Sequence, residues 1–517
     1  MKTKHSTVKV VLAVLLLFML LTWIFPAAYF QSSYVEQGRV QMGIFDLFSY
    51  PVTALSYFGY IALFVLVVGG FYGVLSKIDA YRTLLDNLAT KFKKKGKLAV
   101  SIIMVLIAII TSVCGLQMGL MIFYPAIIAL ILLMGYDKIV AALTVVGSSL
   151  IGVAGTTFGY GNVNNIMTNL GLDITSNIVV KIVILVLGLA LLIFNTIRYI
   201  NKIEVEEKKA AKEAKKAEKK ATKEEKTTKK TTAKSKTTKK SAKETVAEVK
   251  KEVVKVVETK INEVEDLIPK KGRGKHKTLP LIIVLALMFI ILILSFISWS
   301  GAFGVTAFDK ATESVTSKEI FGFALFGKLL GNVNAFGSWN LTELVTLMII
   351  FTGILMIIYK VKFSEGLDAF AQGAKRALEP ALLVVLIYTG LVIVTYHPFQ
   401  LVIYKFLFGF TKGFNVITST LAAMLSSLFN ADPLYVFQSV LPYFASIVSK
   451  KSTLAIAGVV YQSVYGLTML VAPTSIVLMT VLSYLGVSYK QWLKNIWKLA
   501  LELLVLLLII FTILVLI

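Results

Sequence analysis

The chain has 517 residues, 57% hydrophobic and 16% charged, with a mean hydropathy of +0.78, and several apolar runs reach the roughly 20 residues that cross a bilayer as helix, which predicts an all-α polytopic membrane protein. One cysteine, Cys114, excludes an intramolecular disulfide, three histidines without a Cys/His cluster leave no metal-site spacing, and no P-loop or nucleophile with a base can be placed in one membrane layer, so neither a metal centre nor an enzyme is expected. The excess of 54 Lys and Arg over 29 Asp and Glu is read as basic loops facing the cytoplasm, not as a nucleic-acid surface.

The first apolar run, 8–25, follows Lys2 and Lys4 and predicts an uncleaved first span with a cytoplasmic N-terminus, because more spans follow it. The loop 29–57 carries one Arg and no Lys, whereas 76–97 holds Lys77, Arg82, Lys91, Lys93, Lys94, Lys95 and Lys97, so the first is outside and the second inside. Spans at 59–76, 98–114, 118–134, 139–157 and 178–199 then complete an N-terminal membrane half, 1–203. Residues 204–276 form a Lys-rich cytoplasmic linker with 24 Lys and Arg against 14 Asp and Glu, too polar to fold alone and helical in its Ala/Lys/Glu-rich first part. Val246, Val249, Val253, Val257, Ile261, Val264 and Ile268 give its last third an amphipathic helix that rests on anionic lipid headgroups, or alternatively binds a regulatory partner. The C-terminal membrane half, 277–517, has predicted spans at 279–299, 345–359, 381–396, 417–429, 453–466, 468–485 and 498–517, and 397–451 gives no single parse. The total is about 11 to 12 transmembrane helices at ~20 residues each.

Between 152 and 169 the apolar pattern yields to glycines, hydroxyls and amides without a charge. Irregular backbone at membrane depth persists only where it is buried in protein or lines a wet cavity, and such a cavity is where a transporter binds its substrate. A counterpart lies near Pro473. Tyr124-Pro125, 152–169 and Leu170-Gly171-Leu172 parallel Leu441-Pro442, 461–475 and Leu485-Gly486-Val487, with 46 positions from Pro125 to Gly171 and 44 from Pro442 to Gly486. Asp173, with no Lys before Lys181, follows the first; Lys490 and Lys494 follow the second. The two loops therefore face opposite sides, the charge signature of two inverted repeats with discontinuous helices or re-entrant hairpins.

A small carboxylated ligand needs hydrogen-bond donors in low dielectric. Thr156, Thr157, Asn162, Asn164 and Asn165 at the first break, and Thr474 and Ser475 after Pro473 at the second, supply them beside helix N-terminal amides, while Pro473 itself removes a helix bond. Gln117 joins this substrate-binding set, and Gln462 and Ser463 stand in a similar position. The same groups also serve as glue between transmembrane helices, and both readings are open here. None of Glu343, Glu379, Asp432 and Glu502 is clearly central, and His397 before Pro398 is read as interfacial in preference to a proton relay.

Thr22-Trp23-Ile24-Phe25-Pro26-Ala27, Gly43-Ile44-Phe45-Asp46, Gly69-Gly70-Phe71-Tyr72-Gly73-Val74, Phe123-Tyr124-Pro125, Leu133-Met134-Gly135-Tyr136-Asp137, Pro473-Thr474-Ser475, Leu478-Met479 and Trp492 together resemble the anaerobic four-carbon-dicarboxylate carrier-like family, in particular its YfcC branch. The resemblance covers both membrane halves. It implies an ion-transporter-superfamily fold of two inverted repeats, each with a re-entrant hairpin, a homodimer, and secondary transport of dicarboxylates or amino acids; the branch is also described as an arginine/ornithine antiporter. The chain departs from the family's pattern in three places. A Thr-x-Asn-Pro turn reads Thr157-Phe158-Gly159-Tyr160-Gly161, a carboxylate pair reads Gln117-Met118, and a Pro-Ser-Gly-Ser-Gly-Gln turn keeps only Pro433 and Gln438. Gln438 enters the substrate-binding set through that turn.

The expectation is a multi-pass secondary carrier of small carboxylated metabolites in the cytoplasmic membrane, with no cofactor other than a coupling cation, sodium or proton, or working by exchange. One alternative is a basic amino acid antiporter, with Asp432 or Glu379 pairing the substrate's cation. Another is a membrane scaffold that recruits partners through the linker.

Overall fold

A backbone in lipid must satisfy its own polar groups, so apolar runs of this length become helices. The computed structural model describes residues 5–115, 117–159, 171–173, 175–228, 267–270, 277–320, 322–331, 333–411, 414–448 and 450–517. The first elements are α1 (Ser6–Ile24), a ribbon of β1 (Ala28–Phe30) and β2 (Tyr34–Glu36), α2 (Ile44–Leu75), α3 (Asp79–Lys93), α4 (Gly96–Cys114), α5 (Tyr124–Leu133), α6 (Lys138–Ala142), α7 (Ser148–Ala154) and α8 (Ile178–Thr228). A 3-10 turn, Gly119–Ile122, precedes α5, and a π turn, Leu143–Gly147, joins α6 to α7. After the linker come α9 (Leu279–Phe296), α10 (Trp299–Phe303), α11 (Ala307–Ser317), α12 (Leu325–Leu330), α13 (Leu341–Ile358), α14 (Phe363–Arg376), α15 (Leu378–Tyr396) and α16 (Gln400–Gly409). The chain closes with α17 (Val416–Phe429), α18 (Pro433–Ile447), α19 (Lys451–Met469), α20 (Ile476–Leu485) and α21 (Tyr489–Leu516).

Eight of the described helices are long and apolar enough to cross a membrane, and five shorter apolar helices accompany them. The protein is an all-α polytopic membrane protein. Met1–Ile193 with Lys271–Ile517 form one compact unit, and Phe194–Lys270 form another. In the second unit helix persists to Thr228, and the amphipathic pattern 246–268 lies almost wholly outside the described residues.

Several predicted spans are corrected. The span 59–76 begins at Ile44, since Pro51 forfeits only its own helix bond and Gly43 donates its amide to Asp46 Oδ2 (2.8 Å) at the helix start. The span 118–134 is a 3-10 turn followed by a helix of 10 residues. In the span 468–485 the preceding helix runs on to Met469, the chain breaks, and helix resumes only at Ile476. The unparsed stretch 397–451 resolves into α16, α17 and α18.

Close packing fixes the frame. The amphipathic helix α14 lies on the glycine run of α2, where a Cβ on Gly73 would sit 2.1 Å from the Ala369 carbonyl oxygen and one on Gly69 2.6 Å from Ala377 Cβ. Only glycine permits that approach. Gly353 of α13, by contrast, has nothing within 4 Å of the position its Cβ would take.

His397 is buried at the end of α15. Its Nδ1 lies 2.6 Å from the Val40 carbonyl oxygen, which can only accept, so the neutral ring carries its proton there and Nε2 accepts from the Tyr50 hydroxyl at 2.8 Å. Both nitrogens are engaged in tying α15 to the start of α2, as an interfacial structural histidine would be. His397→Leu should cost about 1 to 3 kcal/mol and Tyr50→Phe about 1 kcal/mol, read as ordered decreases in the melting temperature of purified protein.

Candidate functional site

Two hairpins and two broken helices build the site. In the first half α4 and α5 form a hairpin whose feet meet where a Cβ on Gly96 would lie 2.3 Å from the Tyr136 hydroxyl. Beside its tip, α7 stops at Ala154, and α4 takes up the groups that the break releases. The Thr157 amide and hydroxyl donate to the Ser112 carbonyl at 3.0 and 3.2 Å, and Ser112 Oγ donates to the Gly155 carbonyl at 2.7 Å. Thr156 Oγ1 donates back to the Val153 carbonyl at 2.7 Å.

The second half repeats the arrangement with α17 and α18. Their tip runs through Asn430, Ala431 and Asp432: Asn430 Nδ2 donates to Gln400 Oε1 (2.9 Å), the Tyr465 hydroxyl of α19 donates to the Ala431 carbonyl (2.8 Å), and Asp432 caps α18 by accepting from the Leu434 amide (2.8 Å). Beyond the end of α19 the carbonyl of Leu470 accepts from Trp492 Nε1 (2.8 Å), that of Val471 from the Tyr489 hydroxyl, and that of Ala472 from the Ser475 amide (3.1 Å). Ser475 Oγ accepts from the Leu478 amide (3.4 Å) to cap α20. Thr474 Oγ1 is buried and makes no hydrogen bond.

The two broken helices cross. Gln462 Nε2 donates to the Val153 carbonyl (3.1 Å), and a Cβ on Gly466 would lie 2.5 Å from the Ala154 amide nitrogen. Further along, α20 packs on α6 and on the π turn, and Gly486 lies near Lys138. The pair therefore runs antiparallel; the first break is held by Ser112 of α4, and the second by Trp492 and Tyr489 of α21. Phe303 of α10 lies against Phe158 at 5.0 Å between ring centroids, which brings a loop of the second half onto the first break.

The predicted residues divide by what their protons already do. The hydroxyls of Thr156 and Thr157 are spent on backbone carbonyls, so as donors they hold the break together. Ser475 Oγ caps α20 as an acceptor, which does not use its proton; Thr474 makes no hydrogen bond, Pro473 is half-buried and Gln117 is buried beside the first tip. Gln438 is exposed on α18. Asn162, Asn164 and Asn165 lie outside the described residues. Glu379 is bonded to His5 Nδ1 (2.7 Å) and lies 3.5 Å from Thr7 Oγ1, at the start of α1. The roles of Tyr465, Tyr489 and Trp492 were not legible in sequence, since each answers a carbonyl 18 to 34 positions away; their aromatic N–H and O–H groups close to polar breaks are the only signal.

Paired breaks inside apolar helices, each fed by a short hairpin, define a polytopic membrane transporter. The chain belongs to the C4-dicarboxylate anaerobic carrier (DcuC) family, whose profile matches residues 40–517. The solved structure of the Alcanivorax borkumensis YdaH transporter is similar over 98% of each chain at 13% identity, with a TM-score of 0.40. No curated protein matches the chain.

Proposed function

We propose that the chain is a secondary active transporter of small carboxylated metabolites, four-carbon dicarboxylates first, working by cation coupling with sodium or proton or by exchange. The supporting observation is the crossing of two broken helices from opposite halves, with an uncommitted buried hydroxyl on Thr474 at one break. A carboxylate takes hydrogen bonds and offers none, so a donor without a partner suits it. The family's description supports the dicarboxylate class. In this reading the protein sits in the cytoplasmic membrane as a homodimer, with the N-terminus and the linker 204–276 in the cytoplasm and the linker against anionic headgroups.

The arginine/ornithine alternative is the weaker one, because Glu379 is engaged with His5 and only Asp432 is left at a hairpin tip to meet a cationic side chain. Uptake of labelled four-carbon dicarboxylates and of arginine or ornithine into proteoliposomes decides between them. Dicarboxylate uptake that falls in Asn164→Ala is expected. Arginine uptake alone would select the alternative, and uptake of neither would remove both. Deleting 204–276 should leave transport intact; a scaffold would instead lose a partner's localisation.

A further inference from the structure

We propose that Lys181 holds a carboxylate of the transported substrate on the approach to the first break. The inference rests on the transport reading above and adds a residue that neither the family pattern nor the polar breaks pointed to. Lys181 is buried, at 7% exposed. A buried ammonium in a membrane protein is costly and, where it is kept, marks an ion or substrate path. Its place agrees. Lys181 lies in the first turn of α8, and one turn further on the same face Leu185 meets the break, where a Cβ on Gly155 would be 2.6 Å from Leu185 Cβ. Helical side chains lean toward the N-terminus, which sets the ammonium between that contact and the loop carrying Gly171 and Asp173.

The surrounding charges fit an anion path. Lys451 Nζ at the start of α19 would lie 3.2 Å from a Cβ on Gly171, so a second cation stands at the same mouth. Asp173 is exposed, and the Thr175 amide (2.8 Å) bonded to its carboxylate holds it below the usual carboxylate range. It interacts electrostatically with Lys181 and offers the kind of group that a substrate carboxylate would replace. Thr474 and Gln462 are neutral donors and leave an anion's charge unbalanced in low dielectric. Lys181 supplies that balance, and it repels a guanidinium or ammonium at the same position.

The test compares a four-carbon dicarboxylate with its half-amide, which has the same shape and one charge fewer, in proteoliposomes holding the full chain. Lys181→Met should raise the dicarboxylate KM about 10- to 100-fold, the scale of one lost hydrogen bond to a charged group, and bring the KM ratio of half-amide to dicarboxylate toward one. Lys181→Arg should preserve the ratio. Asp173→Asn, which removes the competing carboxylate, should lower the dicarboxylate KM and so tests the assignment even where Lys181→Met does not fold. A purely structural lysine would lower the amount of active protein with the ratio unchanged, or lose melting temperature in Asp173→Asn with KM unchanged; either result overturns the assignment alone. Wild-type protein that carries neither dicarboxylate nor half-amide overturns the transport reading with it.

Discussion

Gly466→Val is expected to abolish transport and to leave little folded protein. Even the first carbon of a side chain at this position would lie 2.5 Å from the Ala154 amide nitrogen and 2.6 Å from the Leu150 carbonyl oxygen. Both are backbone atoms in a neighbouring helix, so no rotamer change relieves the clash and α7 and α19 must separate. Separation also breaks the Gln462 to Val153 bond, the described polar link between the two broken helices at that crossing. A penalty of more than about 3 kcal/mol follows, at or above the upper end of overpacking costs. The control is Gly353→Ala, where nothing lies within 4 Å; it should be neutral or stabilise by up to about 1 kcal/mol, since alanine is the better helix former. Detergent-solubilised yield on size-exclusion chromatography and uptake are the readouts. A monodisperse, active Gly466→Val protein would show that the helices do not cross there.

Thr474→Val should separate binding from stability. The substitution keeps the shape and removes a buried hydroxyl that makes no hydrogen bond. An unsatisfied buried polar group costs about 1 to 3 kcal/mol, so the melting temperature of the substrate-free protein should hold or rise. If the hydroxyl serves the substrate, KM should rise about tenfold, the worth of one hydrogen bond to a charged acceptor. Thr157→Val makes the contrast. That hydroxyl already binds the Ser112 carbonyl across the first break, so its loss should lower the melting temperature, by about 1 kcal/mol of stability, before it changes substrate affinity. A Thr474→Val protein that is less stable yet binds normally would make Thr474 part of the glue.

How far the fold was legible follows from where each constraint comes from. The runs that became α1, α4, α9 and α13 were read directly, because a long apolar run in lipid has one backbone solution. The first turns of α2 were missed because Asp46, Ser49 and Pro51 read as loop residues, yet Asp46 is the acceptor for the Gly43 amide that starts the helix. His397 carried no local sign of its role, since Val40 and Tyr50 are more than 340 positions distant. The first break was placed correctly by composition, but its threonines turned out to be holding backbone. Composition gives the supply of hydroxyls and says nothing of which protons are already committed.

The sequence by itself determined that this is a polytopic helical membrane protein, that its membrane parts are separated by a charged segment, and that apolar helices are interrupted near Gly155 and Pro473. These are consequences of local chain chemistry: hydrocarbon demands helix, and glycine, proline and hydroxyl clusters end it. Tertiary structure alone decided that the interrupted helices cross antiparallel at Gly466, that Trp492 and Tyr489 take the carbonyls beside Pro473, that Thr474 is left uncommitted, and that Lys181 is buried one turn from the first break. Those outcomes depend on which distant group reaches a given carbonyl or cavity first, a competition settled by packing and not by any residue's own preference.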